Sequence, residues 1–142
     1  MPKFHRLQLA SITLLILLSL TLFLSIGQPD VFAIAAPDSG VTIHFIDVGQ
    51  GDSIFIDYSG LDVLIDGGPR TAGTTVVNYL NSLNITRLGL VVATHMDADH
   101  IGGLINVLNS SIQVDKVLIN NQSSSSQTYN QFITLAQNRE VI

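Results

Sequence analysis

The stretch THMDADHIGG, Thr94 to Gly103, concentrates ionisable side chains in a chain that is only 12% charged. It holds His95, Asp97, Asp99 and His100, which are two of the chain's four histidines and two of its eleven acids. Imidazole nitrogen and carboxylate oxygen both bind first-row divalent ions, at about 2.0–2.2 Å for zinc. Alternate positions of an extended loop point the same way, so His95, Asp97 and Asp99 can converge. His100, at the start of a helix, turns in from another direction. Two ions about 3.5–4 Å apart can clamp a phosphate and activate water. A competing reading treats the segment as a helix N-terminus decorated with acids, in which Asp97 or Asp99 caps the helix or favours its dipole. That reading accounts for one aspartate and for neither histidine.

The surrounding pattern says what must position this loop. LGLVVAT, Leu88 to Thr94, is a continuous apolar run of strand length, as expected for a strand covered on both sides. The loop therefore lies at a strand's carboxyl end, where α/β proteins usually place their sites. Ile101, Leu104, Ile105 and Leu108 fall at helical spacing, so a helix begins inside the motif. Gly102 and Gly103 let that helix's backbone come close to metals or substrate. Upstream, VTIHFIDV, SIFIDY and LDVLID read as three strands of an antiparallel meander joined by tight turns at GQGD and SG. Val76, Val77, Leu80 and Leu83 predict a helix over Thr74 to Leu83. VDKVLI, Val114 to Ile119, is another strand, and NNQSSSSQ is a polar loop. Tyr129, Phe132, Ile133 and Ala136 form the apolar face of a last helix, after which NREVI runs toward a strand. The order is β-β-β-α-β-α-β-α, an α/β class, with no internal repeat.

Composition bounds the function. The 142 residues suffice for one modest domain. The net charge of −5 and the lack of a basic patch speak against tight electrostatic binding of nucleic acid by this segment alone. There is no cysteine, which excludes disulfides and thiolate metal sites. At the N-terminus, Lys3 and Arg6 precede an uncharged apolar run, Leu7 to Ile26, and Ala33 and Ala35 offer an A-x-A cleavage site. The run approaches the roughly 20 residues that span a bilayer. Residues 1–36 are thus a cleaved signal or a retained membrane anchor plus linker. Either way the remainder faces the extracytoplasmic side, secreted or anchored. Sequons at Asn84, Asn109 and Asn121 are compatible with export and decide nothing.

Other residues carry weaker signals. Asp66 in LIDGG reads equally well as a site carboxylate or as a polar residue ending a strand at a glycine turn. For Asp47 and Asp52 in DVGQGD, turn chemistry is the favoured reading over a place beside the site. That stretch is no dinucleotide fingerprint, because Ile54 stands where the third glycine belongs. His44 reads as a structural strand residue, and Arg70 as a solvated loop arginine within reach of an anionic substrate.

HFIDVGQGDSIFID, VLIDGG and THMDADHIGG, in this order and spacing, resemble the metallo-β-lactamase superfamily and, within it, the hydrolase-like domain of ComEC-type competence proteins. The resemblance runs from about His44 to Leu104. It implies a four-layer αββα sandwich of which residues 41–142 supply the first half, preceded by the N-terminal apolar helix. It also implies metal-dependent hydrolysis of nuclease or phosphodiesterase type, with one or two divalent ions as cofactor, zinc or manganese foremost. By the same resemblance His95 is the first ligand of one metal site, and Asp97 stands where most members have a second histidine. Asp99 and His100 serve the second site, with Asp99 also orienting the attacking water as the catalytic residue. Asp66 would be the aspartate beneath the site that holds a ligand histidine. An oxygen-richer ligand set shifts preference toward manganese or magnesium.

The superfamily's later ligands have no counterpart after His100, so the chain is expected to be the front part of a longer protein. The expected partners are metal ions, nucleic acid or another phosphodiester, and the membrane if the leader is retained; no protein partner is expected. The alternative is a catalytically inactive exported or anchored domain that keeps a partial metal site.

Overall fold

A computed structural model describes residues 40–141. The leader expected over residues 1–36, including its apolar helix, lies outside these residues. The elements follow the expected order. β1 (Val41–Phe45), β2 (Ile54–Tyr58) and β3 (Val63–Ile65) come first, then a 3-10 turn (Arg70–Ala72) and α1 (Gly73–Ser82). β4 (Arg87–Ala93), α2 (Ala98–Leu108), β5 (Gln113–Ile119), α3 (Gln127–Ala136) and β6 (Glu140–Val141) complete the chain. All six strands join one sheet in sequence order. β1, β2 and β3 pair antiparallel, and β3, β4, β5 and β6 pair parallel. Among the described residues no helix is long and apolar enough to cross a membrane.

Topology decides which face the helices cover. Each parallel step is a strand, a helix and the next neighbouring strand, and such crossovers are right-handed. Because the steps from β3 to β6 all move in one direction, their helices fall on one face. The core confirms this: Phe55, Leu64, Val91 and Val117 align across the sheet and are fully buried. Against them pack Val76 and Leu80 of α1, Ile101, Leu104, Ile105 and Leu108 of α2, and Phe132 and Ala136 of α3.

The other face is apolar and open. The register lines up Val41, Ile43 and Phe45 with Tyr58, Ile56 and Ile54, then Val63 and Ile65, then Leu90 and Val92, with Leu118 beyond. Phe45 is 80% exposed, and Val41 and Ile43 are each 55% exposed. The expectation that β4 is covered on both sides is therefore met on one side only: Leu90 and Val92 stay half-buried on the open face. At the start of β4 the amides of Gly89 and Leu90 both donate to the Asp62 carbonyl, at 2.9 and 3.3 Å. This bulge breaks the alternation and lets Leu88 and Val91, three apart, both enter the core.

Local chemistry ends the helices where the chain must turn. Asn84 follows α1 with φ 60°. The amides of Asn84 and Ile85 reach back to Asn81 and Leu80, at 2.9 and 3.0 Å, which satisfies carbonyls the helix leaves open. Ser126 caps α3 by accepting from the Tyr129 amide at 3.1 Å.

Candidate metal centre

The site is assembled at the carboxyl ends of β3 and β4. Parallel pairing carries Asp66, the residue after β3, alongside Thr94, the residue after β4, through a bond from the Asp66 amide to the Val92 carbonyl at 2.9 Å. Asp66 is 1% exposed and has φ 56°, a left-handed conformation that aspartate tolerates better than most residues. Its Oδ1 accepts from the Thr94 amide at 2.9 Å, and its Oδ2 accepts from the Thr94 hydroxyl. The same Oδ2 lies 2.9 Å from Nδ1 of His100. A carboxylate can only accept, so Nδ1 of His100 carries the proton and Nε2 keeps its lone pair.

Around this buried anchor the two histidines come together. Their ring centroids are 3.8 Å apart. One donor atom each from Asp66, His95 and His100 lies within 4.8 Å of the others. Geometry alone would make Asp66 a third ligand. Its oxygens are already engaged by three donors, so it acts as the holder of His100. Asp97 supplies the nearer free oxygen: its Oδ2 is 3.6 Å from Nε2 of His95. Asp97 occupies the N-cap position of α2, yet its side chain makes no capping bond. The capping role considered for this aspartate is not the one its carboxylate takes. Imidazole nitrogens with an adjacent, exposed carboxylate oxygen are a donor set suited to divalent metal ions, and these residues fit such a group.

Asp99, in the first turn of α2, is held from a distant part of the chain. Its Oδ2 accepts from Nε2 of Gln50 at 2.9 Å. That hydrogen bond first, then the residue's own amide and the nearby His100 and His95, keep the Asp99 carboxyl below the ordinary value of 3.8. Gln50 was not singled out by sequence; the flanking Gly49 and Gly51 were the available signal. Both glycines have positive φ, 78° and 80°. A Cβ on Gly51 would overlap the Asp99 carbonyl oxygen, so the loop lies directly against the start of α2.

The glycines of the motif do similar work on the other side. The amide of Gly67 donates to the His100 carbonyl at 2.8 Å, and that of Gly103 to the Gly68 carbonyl at 2.9 Å. A Cβ on Gly103 would overlap the Gly67 carbonyl oxygen. The Asp66–Gly68 turn thus docks on α2 by backbone contact, which fixes Asp66 against His100.

The weaker candidates separate. Oδ2 of Asp52 lies 4.0 Å from Nδ1 of His100, at the edge of the site. Asp47 accepts from the Gly49 amide at 3.1 Å, a turn role. His44 pairs with the Tyr79 hydroxyl at 2.9 Å, away from the centre. Arg70 donates to Gln131 of α3 at 3.2 Å.

Residues 46–115 match the metallo-β-lactamase superfamily. The chain is 34% identical over 70 residues to competence protein ComA of Neisseria gonorrhoeae, covering 49% of this chain and 10% of that protein. It is 30% identical over 81 residues to ribonuclease Z of Metallosphaera sedula, covering 52% of this chain and 27% of that protein. The chain thus spans between a tenth and about a quarter of the length of these curated relatives. Among solved structures, Rm3 metallo-β-lactamase superposes with a TM-score of 0.46 at 23% identity, over 54% of this chain and 28% of that one.

Proposed function

From the premise that residues 46–115 are a metallo-β-lactamase superfamily segment, we propose that this chain carries metal-holding residues of a hydrolase that cleaves phosphodiesters in nucleic acid. The observation that carries this reading is the pairing of His95 and His100 at one strand end, with Asp97 beside His95 and the buried Asp66 behind His100. The names of the relatives, a competence protein and a ribonuclease, support nucleic acid as the substrate class.

In this reading His95, Asp97, Asp99 and His100 hold one or two divalent ions, zinc or manganese. When bound, the ions supply positive charge to the phosphate and make water a better nucleophile. The chain's own residues do the rest. Asp66 keeps the His100 proton on Nδ1, and Asp97 brings negative charge to the side of His95. Asp99, held by Gln50, orients the attacking water by accepting its hydrogen bond. The open apolar sheet face is the seat of a second sheet in the αββα arrangement, which the exposure of Phe45, Ile43 and Val41 supports. An extracytoplasmic location, secreted or anchored, is part of this reading, and the N-terminal apolar run preceded by Lys3 and Arg6 supports it.

The test is hydrolysis of bis(p-nitrophenyl) phosphate and of single-stranded nucleic acid with Mn²⁺ or Zn²⁺, alongside a lactam and a thioester. Metal-dependent phosphodiester cleavage that disappears in His100→Ala, with the circular dichroism spectrum retained, is the expected result. Equal cleavage by that variant, or activity on the lactam or thioester alone, refutes the assignment.

A further inference from the structure

The Thr94 hydroxyl touches both the buried Asp66 and His95, and it has one proton to give. That proton is committed: Oγ1 donates to Oδ2 of the buried Asp66, which as a carboxylate can only accept. Oγ1 also lies 3.0 Å from Nδ1 of His95. With its proton spent, the hydroxyl meets that ring nitrogen as an acceptor, so Nδ1 of His95 is the donor. The resulting chain runs from His100 Nδ1–H to Asp66, from the Thr94 hydroxyl to Asp66, and from His95 Nδ1–H to Thr94.

We propose that Thr94 is a positioning residue that holds His95 in the Nδ1–H tautomer, and that one buried carboxylate, Asp66, thereby presents the bare Nε2 of both histidines to the metal. The hydroxyl extends the reach of Asp66 to a second ring that the carboxylate does not touch. The inference rests on the metal-centre reading for its purpose, while its geometry stands without an ion. The Thr94 amide bond to Asp66 Oδ1 at 2.9 Å fixes the hydroxyl's own position. Without the hydroxyl, His95 loses its only hydrogen-bond acceptor at Nδ1 among the described residues. The Nε2–H tautomer, commoner for a free histidine side chain, then places a proton where the metal should bind.

The experiment is a long-range ¹H–¹⁵N correlation spectrum of the histidine rings in the full 142-residue chain, with peaks assigned by their loss in His95→Asn and His100→Asn. It is recorded near pH 8, above the ordinary histidine pKa of about 6.5. The wild type is expected to show Nδ1–H for both His95 and His100. Thr94→Ser retains both, and Thr94→Val moves His95, but not His100, to Nε2–H. Calorimetry with Zn²⁺ or Mn²⁺ should then show about 10- to 100-fold weaker binding in Thr94→Val and none of that loss in Thr94→Ser. A wild-type His95 in the Nε2–H form overturns the proposal without any variant, and so does a Thr94→Val spectrum unchanged at His95. Wild-type rings in the expected tautomers with no affinity for either ion would instead refute the metal reading and leave the assignment of Thr94 standing.

Discussion

Replacing Asp66 by Asn tests the anchor of the site with almost no change of shape. Asp66 is 1% exposed and receives hydrogen bonds from the Thr94 amide, the Thr94 hydroxyl and His100 Nδ1. Asparagine adopts φ near 56° at least as readily as aspartate, so the backbone is not the cause of any loss. The variant keeps an acceptor for the Thr94 amide but turns Oδ2 into an NH₂ group. That group faces the Thr94 hydroxyl, which can rotate to accept, and His100 Nδ1, which must surrender its proton. A charge-assisted bond contributes about 1.5–3 kcal/mol against about 0.5–1.5 for a neutral one, so two altered bonds imply a loss of about 2–3 kcal/mol. In a domain of this size each kcal/mol moves the melting temperature by about 4–8 °C, giving a fall of about 8–24 °C. Displacing the His100 proton to Nε2 also weakens metal binding, by about 10- to 100-fold. Thermal unfolding followed by circular dichroism and calorimetry with Zn²⁺ read the two effects separately. A melting temperature within about 2 °C of wild type would show that the buried carboxylate is not the anchor described here.

Three further outcomes follow from other parts of the fold. Gly103→Ala forces a Cβ onto the Gly67 carbonyl and should cost about 1–3 kcal/mol in denaturant unfolding; wild-type stability would mean the turn can slide off α2. Burial raises the Asp62 carboxyl above 3.8, aided by Asp57 and opposed by a Tyr58 backbone bond. A raised carboxyl binds its proton more readily folded than unfolded, so its contribution is present below 3.8 and lost as pH rises through the folded value. Asp62→Asn should therefore melt higher than wild type at pH 7, with the gain vanishing near pH 3; a lower melting temperature at pH 7 has the wrong sign. Phe45→Lys, at an 80% exposed position, should change stability by no more than about 0.5 kcal/mol while reducing dye binding and self-association. A larger loss would show that the open face already has a partner in this chain.

The elements were legible because their periods are local. The alternation in VTIHFIDV, the spacing of Val76 and Leu80, and the glycine turn at GQGD predict β1, α1 and the hairpin, α1 within one residue and β1 ending three residues earlier, at Phe45, than the alternation suggests. The start of α2 inside THMDADHIGG followed from the same reasoning. The cover of β4 did not. A run such as LGLVVA looks alike whether one face or both are packed, and the bulge at Gly89 and Leu90, opposite Asp62, breaks the alternation that could have told them apart. Gln50 escaped notice because its partner, Asp99, is 49 positions away, and no spacing rule connects a loop glutamine to a distant helix turn.

The sequence by itself singled out the strand end at which His95 and His100 meet, because residue type and spacing suffice for that; it did not bring Asp66, 28 positions before Thr94, into the same cluster. The tertiary structure alone decided that Nδ1 of His100 turns to Asp66 and Nδ1 of His95 to the Thr94 hydroxyl, and that Asp97 leaves its cap position unused. A tautomer depends on the hydrogen-bond partner of the opposite nitrogen. For His100 that partner arrives through the parallel register of β3 on β4, a property of the sheet that no window of neighbouring residues contains.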